Sequence, residues 1–128
     1  MVYDTPRGQV AAVDGLALAL RPGETYALVG ESGCGKTATA LAILRLTEPG
    51  RITAGSIHFE GEDLLKRTEK QMRGVRGGRI RMAFQEPAAA LNPVMRVGAH
   101  VVEAIRAHKK GARREAWGEA ERLLAGVA

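Results

Sequence analysis

The chain has 128 residues, 45% of them hydrophobic and 26% charged, a composition that fits one globular domain with a core of its own. Its single cysteine, Cys34, excludes an intrachain disulfide and favours a reducing compartment, and no apolar run reaches the length of a membrane span. The net charge of +5 suits a nucleotide, an anionic membrane or a nucleic acid; the cations are densest over residues 66–81 and 108–114 and read chiefly as a solvated face.

The first ten residues are polar and lack the apolar core of a signal peptide, so a soluble or peripheral protein is expected. Residues 10–13 and 16–20 are two short strand candidates around Asp14-Gly15, and Arg21-Pro22-Gly23-Glu24 is a second turn. An antiparallel flap is therefore expected near the N-terminus, with Tyr3 offering a flat ring suited to stacking on a base.

Residues 25–29 (TYALV) form a short apolar run, the pattern of a buried parallel strand, and lead into Gly30-Glu31-Ser32-Gly33-Cys34-Gly35-Lys36-Thr37. These residues satisfy the phosphate-binding pattern GxxxxGK[ST] without a mismatch. Gly30, Gly33 and Gly35 permit the dihedrals and the close approach by which successive amides surround phosphate oxygens. Lys36 is placed to bring an ammonium to the β- and γ-phosphates, and the Thr37 hydroxyl is an oxygen ligand suited to Mg²⁺. A helix is expected over residues 37–47, with Leu41, Ile43, Leu44 and Leu46 apolar and Glu48-Pro49-Gly50 as its stop; its first amides and its dipole favour the same anion. The overlapping pattern GxGxxA over residues 33–38, with Glu60 as a ribose-binding acid, would mark a dinucleotide fold. It leaves Gly30 and the Lys36-Thr37 pair without a role and is set aside.

Downstream, residues 55–59 (GSIHF) alternate as a strand before the turn Glu60-Gly61-Glu62-Asp63. Residues 64–73 read as a short basic helix, broken by Gly74, Gly77 and Gly78. Residues 79–84 (RIRMAF) put Ile80, Met82 and Phe84 on one face of a second core strand, which ends at the polar Gln85-Glu86-Pro87. Beyond Pro87 no strand-like run remains. Residues 97–108 are a helix with Val97, Val101 and Ile105 on one face, Lys109-Lys110-Gly111 is a turn, and residues 113–124 are a helix with Trp117, Ala120 and Leu124 at helical spacing. His58, His100 and His108 lack metal-ligand spacing. Tyr3, Tyr26, Phe59, Phe84 and Trp117 are too scattered for a nucleic-acid groove, and no nucleic-acid partner is expected.

The phosphate loop within VGESGCGKT, followed by FQEPAAALNPVMRVG, resembles the ATP-binding subunit of ABC transporters, most of all the oligopeptide, dipeptide and nickel importer branch. The resemblance implies an α/β P-loop NTPase with N-terminal antiparallel strands, a central sheet left incomplete and the start of the helical subdomain. Residues 1–85 would be the N-terminal part of the nucleotide-binding core and residues 86–128 the first part of the helical subdomain. ATP and Mg²⁺ are the implied cofactors. Tyr3 would stack on adenine, and Gly30, Glu31, Ser32, Gly33, Cys34, Gly35, Lys36, Thr37 and Ala38 would hold the phosphates. Lys36 and Gln85 are the implied catalytic residues, with Thr37 and Gln85 as oxygen ligands of the metal. The implied partners are permease transmembrane subunits, a second ATP-binding subunit and, indirectly, an extracytoplasmic solute-binding protein. The implied location is peripheral, on the cytoplasmic face of the membrane.

The LSGGQ-type signature, the Walker B strand ending in Asp-Glu and the switch histidine of the family do not occur before Ala128. The expectation is the N-terminal portion of a longer ATPase driving peptide import, a chain that alone does not complete hydrolysis. A non-catalytic nucleotide-binding module and another P-loop enzyme, such as a small-molecule kinase, are the alternatives.

Overall fold

The chain begins with an antiparallel hairpin, β1 (Val2–Thr5) against β2 (Gly8–Ala11), in a register running from Val2 opposite Ala11 to Thr5 opposite Gly8. In this computed structural model, which describes residues 1–86 and 91–127, the chain divides into two units, Met1–Met72 and Arg73–Ala128. The hairpin turn is closed by its own side chain: Thr5 Oγ1 donates to Gly8 O at 2.7 Å and accepts from the Arg7 amide at 3.3 Å. Arg51 extends the pair, exchanging two 2.9 Å backbone bonds with Val2, while its guanidinium meets Asp4 at 3.2 Å. The N-terminal antiparallel strands are thus present, but one turn earlier than expected. Val10 belongs to β2, and residues 16–20 carry no strand. The side-chain bonds of Thr5 and the left-handed Gly8, at φ 113°, make the Pro6-Arg7 turn tighter than the one sought at Asp14-Gly15.

The central sheet expected from residues 25–29 and 79–84 is a correction. Neither segment is a strand; near them the structure has only an isolated parallel bridge between Arg76 and Ile80. Periodicity shows that a segment is able to be buried between ladder partners, but it does not supply the partners. Without them residues 21–30 are exposed throughout, Val29 to 91%.

The first helix, α1 (Lys36–Ile43), is shorter than the expected 37–47 because Arg45 takes a left-handed conformation at φ 53°. The Arg45 amide reaches Ala42 O at 3.0 Å, Leu46 N reaches Leu41 O at 2.9 Å, and the Arg45 guanidinium donates to the carbonyls of Leu64 and Arg67. One arginine therefore ends α1 and ties it to the chain that follows. There, β3 (His58–Phe59) and β4 (Glu62–Asp63) pair across Glu60-Gly61, whose φ values of 51° and 82° are both positive, as a type I′ hairpin turn requires.

The single basic helix expected over 64–73 is two pieces, a 3₁₀ turn (Leu64–Lys66) and α2 (Glu69–Val75). Two caps force the division. Asp63 accepts from the Leu65 amide at 3.0 Å and starts the first piece. Thr68 and Gln71 form a reciprocal capping box and start the second, with Thr68 N to Gln71 Oε1 at 2.8 Å and Gln71 N to Thr68 Oγ1 at 3.3 Å. Met1, Leu44, Leu64 and Met72 are the buried apolar side chains of this unit among the described residues.

In the second unit, α3 (Val97–His108) and α4 (Arg113–Ala125) lie where periodicity places them. Val102, Ala116 and Ala120 form the buried cluster, with Val101, Ile105 and Trp117 packed against it. The small Ala116 and Ala120 let the helices approach, and each large apolar side chain buried in the seam contributes roughly 1.5–3 kcal/mol. Trp117 rests on Gly98, where an added Cβ would stand 2.8 Å from the ring. Val101 and Ile105 of the expected α3 face pack against this cluster, but Val102 is its buried centre and Val97 is 55% exposed. Among the described residues, no helix is long and apolar enough to cross a membrane.

Two outcomes are expected. The exposed strand-like segments, with Leu16, Leu18, Leu20, Tyr26, Leu28 and Val29 open to solvent, should bind a hydrophobic fluorescent dye and give a broad thermal transition; a sharp transition without dye binding would refute this. The Leu65 amide holds the Asp63 carboxyl below its ordinary range, ahead of the weaker Ile57 amide and Lys66. A carboxyl lowered on folding stabilises fully above its unfolded value of about 4 and ceases to as pH falls through the folded value. Hydrogen-exchange protection at Leu65 should therefore decline across that acid window in the natural chain and be low and pH-insensitive in Asp63→Ala.

Candidate phosphate-binding site

The turn from residue 30 to 37 is built by local backbone demands. Gly33 and Gly35 sit at φ 82° and 92°, in the left-handed region, and Gly35 is the N-cap of α1. A Cβ on Gly35 would lie 2.3 Å from Ala12 O, and one on Gly30 would lie 2.6 Å from Cys34 Sγ. Glycine is thus a steric requirement at Gly35, where the neighbour is backbone, whereas a side chain at Gly30 would oblige the Cys34 thiol to turn away. The hydroxyl and amide of Thr39 both donate to Gly35 O, at 2.9 and 2.8 Å, and fix the first turn of the helix.

Lys36 folds back over the turn. Its ammonium donates to Gly30 O at 2.8 Å and Glu31 O at 2.6 Å, and lies 3.3 Å from Cys34 Sγ. The Cys34 amide closes the turn on Glu31 O at 3.3 Å. Among the described residues, the amides of Ser32, Gly33, Gly35, Lys36 and Thr37 find no acceptor, and the Thr37 hydroxyl has no partner. A run of orphan donors at a helix start, beside an ammonium held only by neutral groups, attracts an anion rich in oxygen.

A cavity of about 200 Å³ adjoins the loop, lined by residues including Ala12, Asp14, Val29, Cys34, Lys36 and Thr39. Ala12 and Asp14 were invisible to pattern reading, which saw there only a strand end and a turn. Their place follows from the Met1 ammonium, which binds Val13 O at 2.7 Å and draws this segment along the hairpin, a contact without a sequence signal.

The remaining expected residues are placed differently. Glu31 and Ser32 are exposed on the loop, and Ala38 is half-buried in α1. Tyr3 is half-buried in β1 with its ring on Gly50, where a Cβ would lie 2.7 Å from it, and it does not line the cavity. Gln85 is exposed at a bend in the second unit, and the phrase that follows it falls partly on residues 87–90, outside the described residues. Among the described residues, no group of three His, Cys, Asp or Glu side chains is able to hold a metal.

The family model described as "ABC transporter" matches residues 13–128. The dipeptide transport ATP-binding protein of Bacillus subtilis (strain 168) is 44% identical over 124 residues, covering 95% of this chain and 37% of that protein. The oligopeptide transport ATP-binding protein of Escherichia coli (strain K12) is 40% identical over 127 residues, covering 99% of this chain and 38% of that protein. A probable D,D-dipeptide transport ATP-binding protein of the same organism is 45% identical over 119 residues, covering 91% of this chain and 36% of that protein. The chain therefore spans somewhat more than a third of the length of these curated relatives. With the family model matched over nearly all of its residues, the chain belongs to the ABC transporter family.

Proposed function

We propose that this chain is the Walker A portion of the ATP-binding subunit of a peptide-type ABC importer. The observation that carries the proposal is the loop over residues 30–37, where unpaired amides and the Lys36 ammonium converge at the start of α1. Family membership and the names of the relatives support ATP as the ligand and a peptide as the transported solute.

In this reading Lys36 exchanges its carbonyl partners for oxygens of the β- and γ-phosphates, and the amides of residues 32–37 hold the remaining phosphate charge. The hydroxyl of Thr37, exposed and unpartnered on the first turn of α1, fits a hard cation, and Mg²⁺ bound there with ATP would neutralise phosphate charge. Gln85 is assigned a second oxygen toward the metal and the attacking water, and Tyr3 the adenine ring. Tyr3 must leave Gly50 or stack through its free face to do so. Residues 1–85 are proposed as nucleotide-binding core and residues 86–128 as the beginning of a helical subdomain. Hydrolysis and its coupling to transport belong, in this reading, to the assembled subunit with permeases and a second ATP-binding subunit, at the cytoplasmic face of the membrane.

Charge-assisted hydrogen bonds contribute about 1.5–3 kcal/mol each. Lys36→Ala and Lys36→Met should therefore weaken ATP binding by roughly tenfold to a hundredfold, with Lys36→Met keeping the side-chain stem. Equilibrium titration with a fluorescent ATP analogue reads this directly, and an unchanged affinity would remove Lys36 from the role assigned to it. Gly35→Ala should abolish binding without altering charge, because its Cβ meets Ala12 O; retained affinity would show that the loop geometry is not what binds.

A further inference from the structure

Five of the eleven cations of the second unit lie at one end of the α3–α4 pair. Arg106, Lys109, Lys110, Arg113 and Arg114 fall within nine residues that contain no acid, and their sum of five positive charges equals the formal net charge of the whole chain. All five are exposed. Lys109 pairs with Glu119 at 2.6 Å, yet its side chain stays 65% exposed. Arg106, Lys110, Arg113 and Arg114 have no acidic partner among the described residues. Glu115, the nearest following acid, is turned onto the Ala112 amide at 3.2 Å as part of the cap of α4. The Val102, Ala116 and Ala120 seam fixes both helices, so the intervening turn is presented by a packed scaffold.

We infer that this turn is a docking surface for an anionic phospholipid bilayer. A small notch of about 80 Å³ at the turn is lined by Glu115 and Glu119 as well as by Arg106, Lys109 and Lys110, which is unsuited to enclosing a phosphate. The attraction is instead that of a polybasic surface to many headgroups, each cation near an anionic leaflet adding favourable energy that salt screens. A single-stranded nucleic acid is the less favoured polyanion, because no aromatic lies among the five cations and Trp117, the nearest in sequence, is packed against the helix seam. Choosing a membrane rests on the peripheral placement proposed above.

The test is co-sedimentation of the 128-residue chain with vesicles of phosphatidylcholine alone or with 30% phosphatidylglycerol (~30 mol%, enough to give a cytoplasmic-leaflet potential). Binding should require the anionic lipid and fall steeply with salt. The triple variant Lys110→Ala, Arg113→Ala, Arg114→Ala should partition at least about tenfold more weakly, while a charge-matched control, Arg7→Ala, Lys70→Ala, Arg73→Ala, should bind nearly as the natural chain does. Equal loss in both variants would reduce the effect to net charge and overturn the inference. So would binding to phosphatidylcholine alone, no binding at any salt, or stronger retention on a single-stranded oligonucleotide than on the anionic vesicles. Binding of the fluorescent ATP analogue, read on the same samples, separates failure here from failure of the nucleotide assignment.

Discussion

The contact between the Lys36 ammonium and the carbonyls of Gly30 and Glu31 is the constraint around which the first unit is arranged. It ties the beginning of the loop to the beginning of α1, so the backbone between them must curl. Curling consumes carbonyls on the side of the lysine and leaves amides unpaired, the arrangement on which the proposed anion site rests. The same contact holds a positive charge in reserve, since neutral carbonyls bind it less strongly than phosphate oxygens do.

At Gly35 the curl leaves no room for a side chain, and the N-terminal hairpin is the reason. The Met1 ammonium holds Val13 O, the amides of Ala12 and Val13 reach Met1 O, and Ala12 O is thereby brought against Gly35. The left-handed conformation of Gly35 would itself disfavour a side chain. The close carbonyl makes the exclusion absolute at that geometry. The hairpin therefore shapes the loop even though none of β1 or β2 belongs to the phosphate pattern.

What the sequence made legible follows from the range of the interactions. The loop pattern, α3 and α4 depend on neighbours within a few residues, and all were read from spacing alone; α3 was placed at its observed bounds. The capping box of Thr68 and Gln71 was equally local and equally readable, but the basic character of residues 64–73 suggested one helix where two caps make two pieces. Arg45 gave no such signal: its left-handed turn is held by the carbonyls of Leu64 and Arg67, far along the chain. The strands at 25–29 and 79–84 failed for the complementary reason, being segments whose pattern is correct for burial but whose ladder partners are not supplied by the described residues. Tyr3 was read as free to stack, whereas its ring already rests on Gly50.

These ranges also explain how the loop over residues 30–37 keeps its shape beside a segment that forms no strand. Lys36 reaches back only six residues to Gly30, and Thr39 only four to Gly35. Closing such short loops costs little entropy, and the closing bonds lie within the segment they shape. A parallel sheet requires partners separated by a crossover of a dozen or more residues, and its strands gain stability only when the whole ladder is present. The loop and a parallel sheet are therefore separable in energy. The loop is set by glycines, a lysine and the hairpin beside it, while pairing of the apolar residues of 25–29 would act on stability and only indirectly on the shape of the loop.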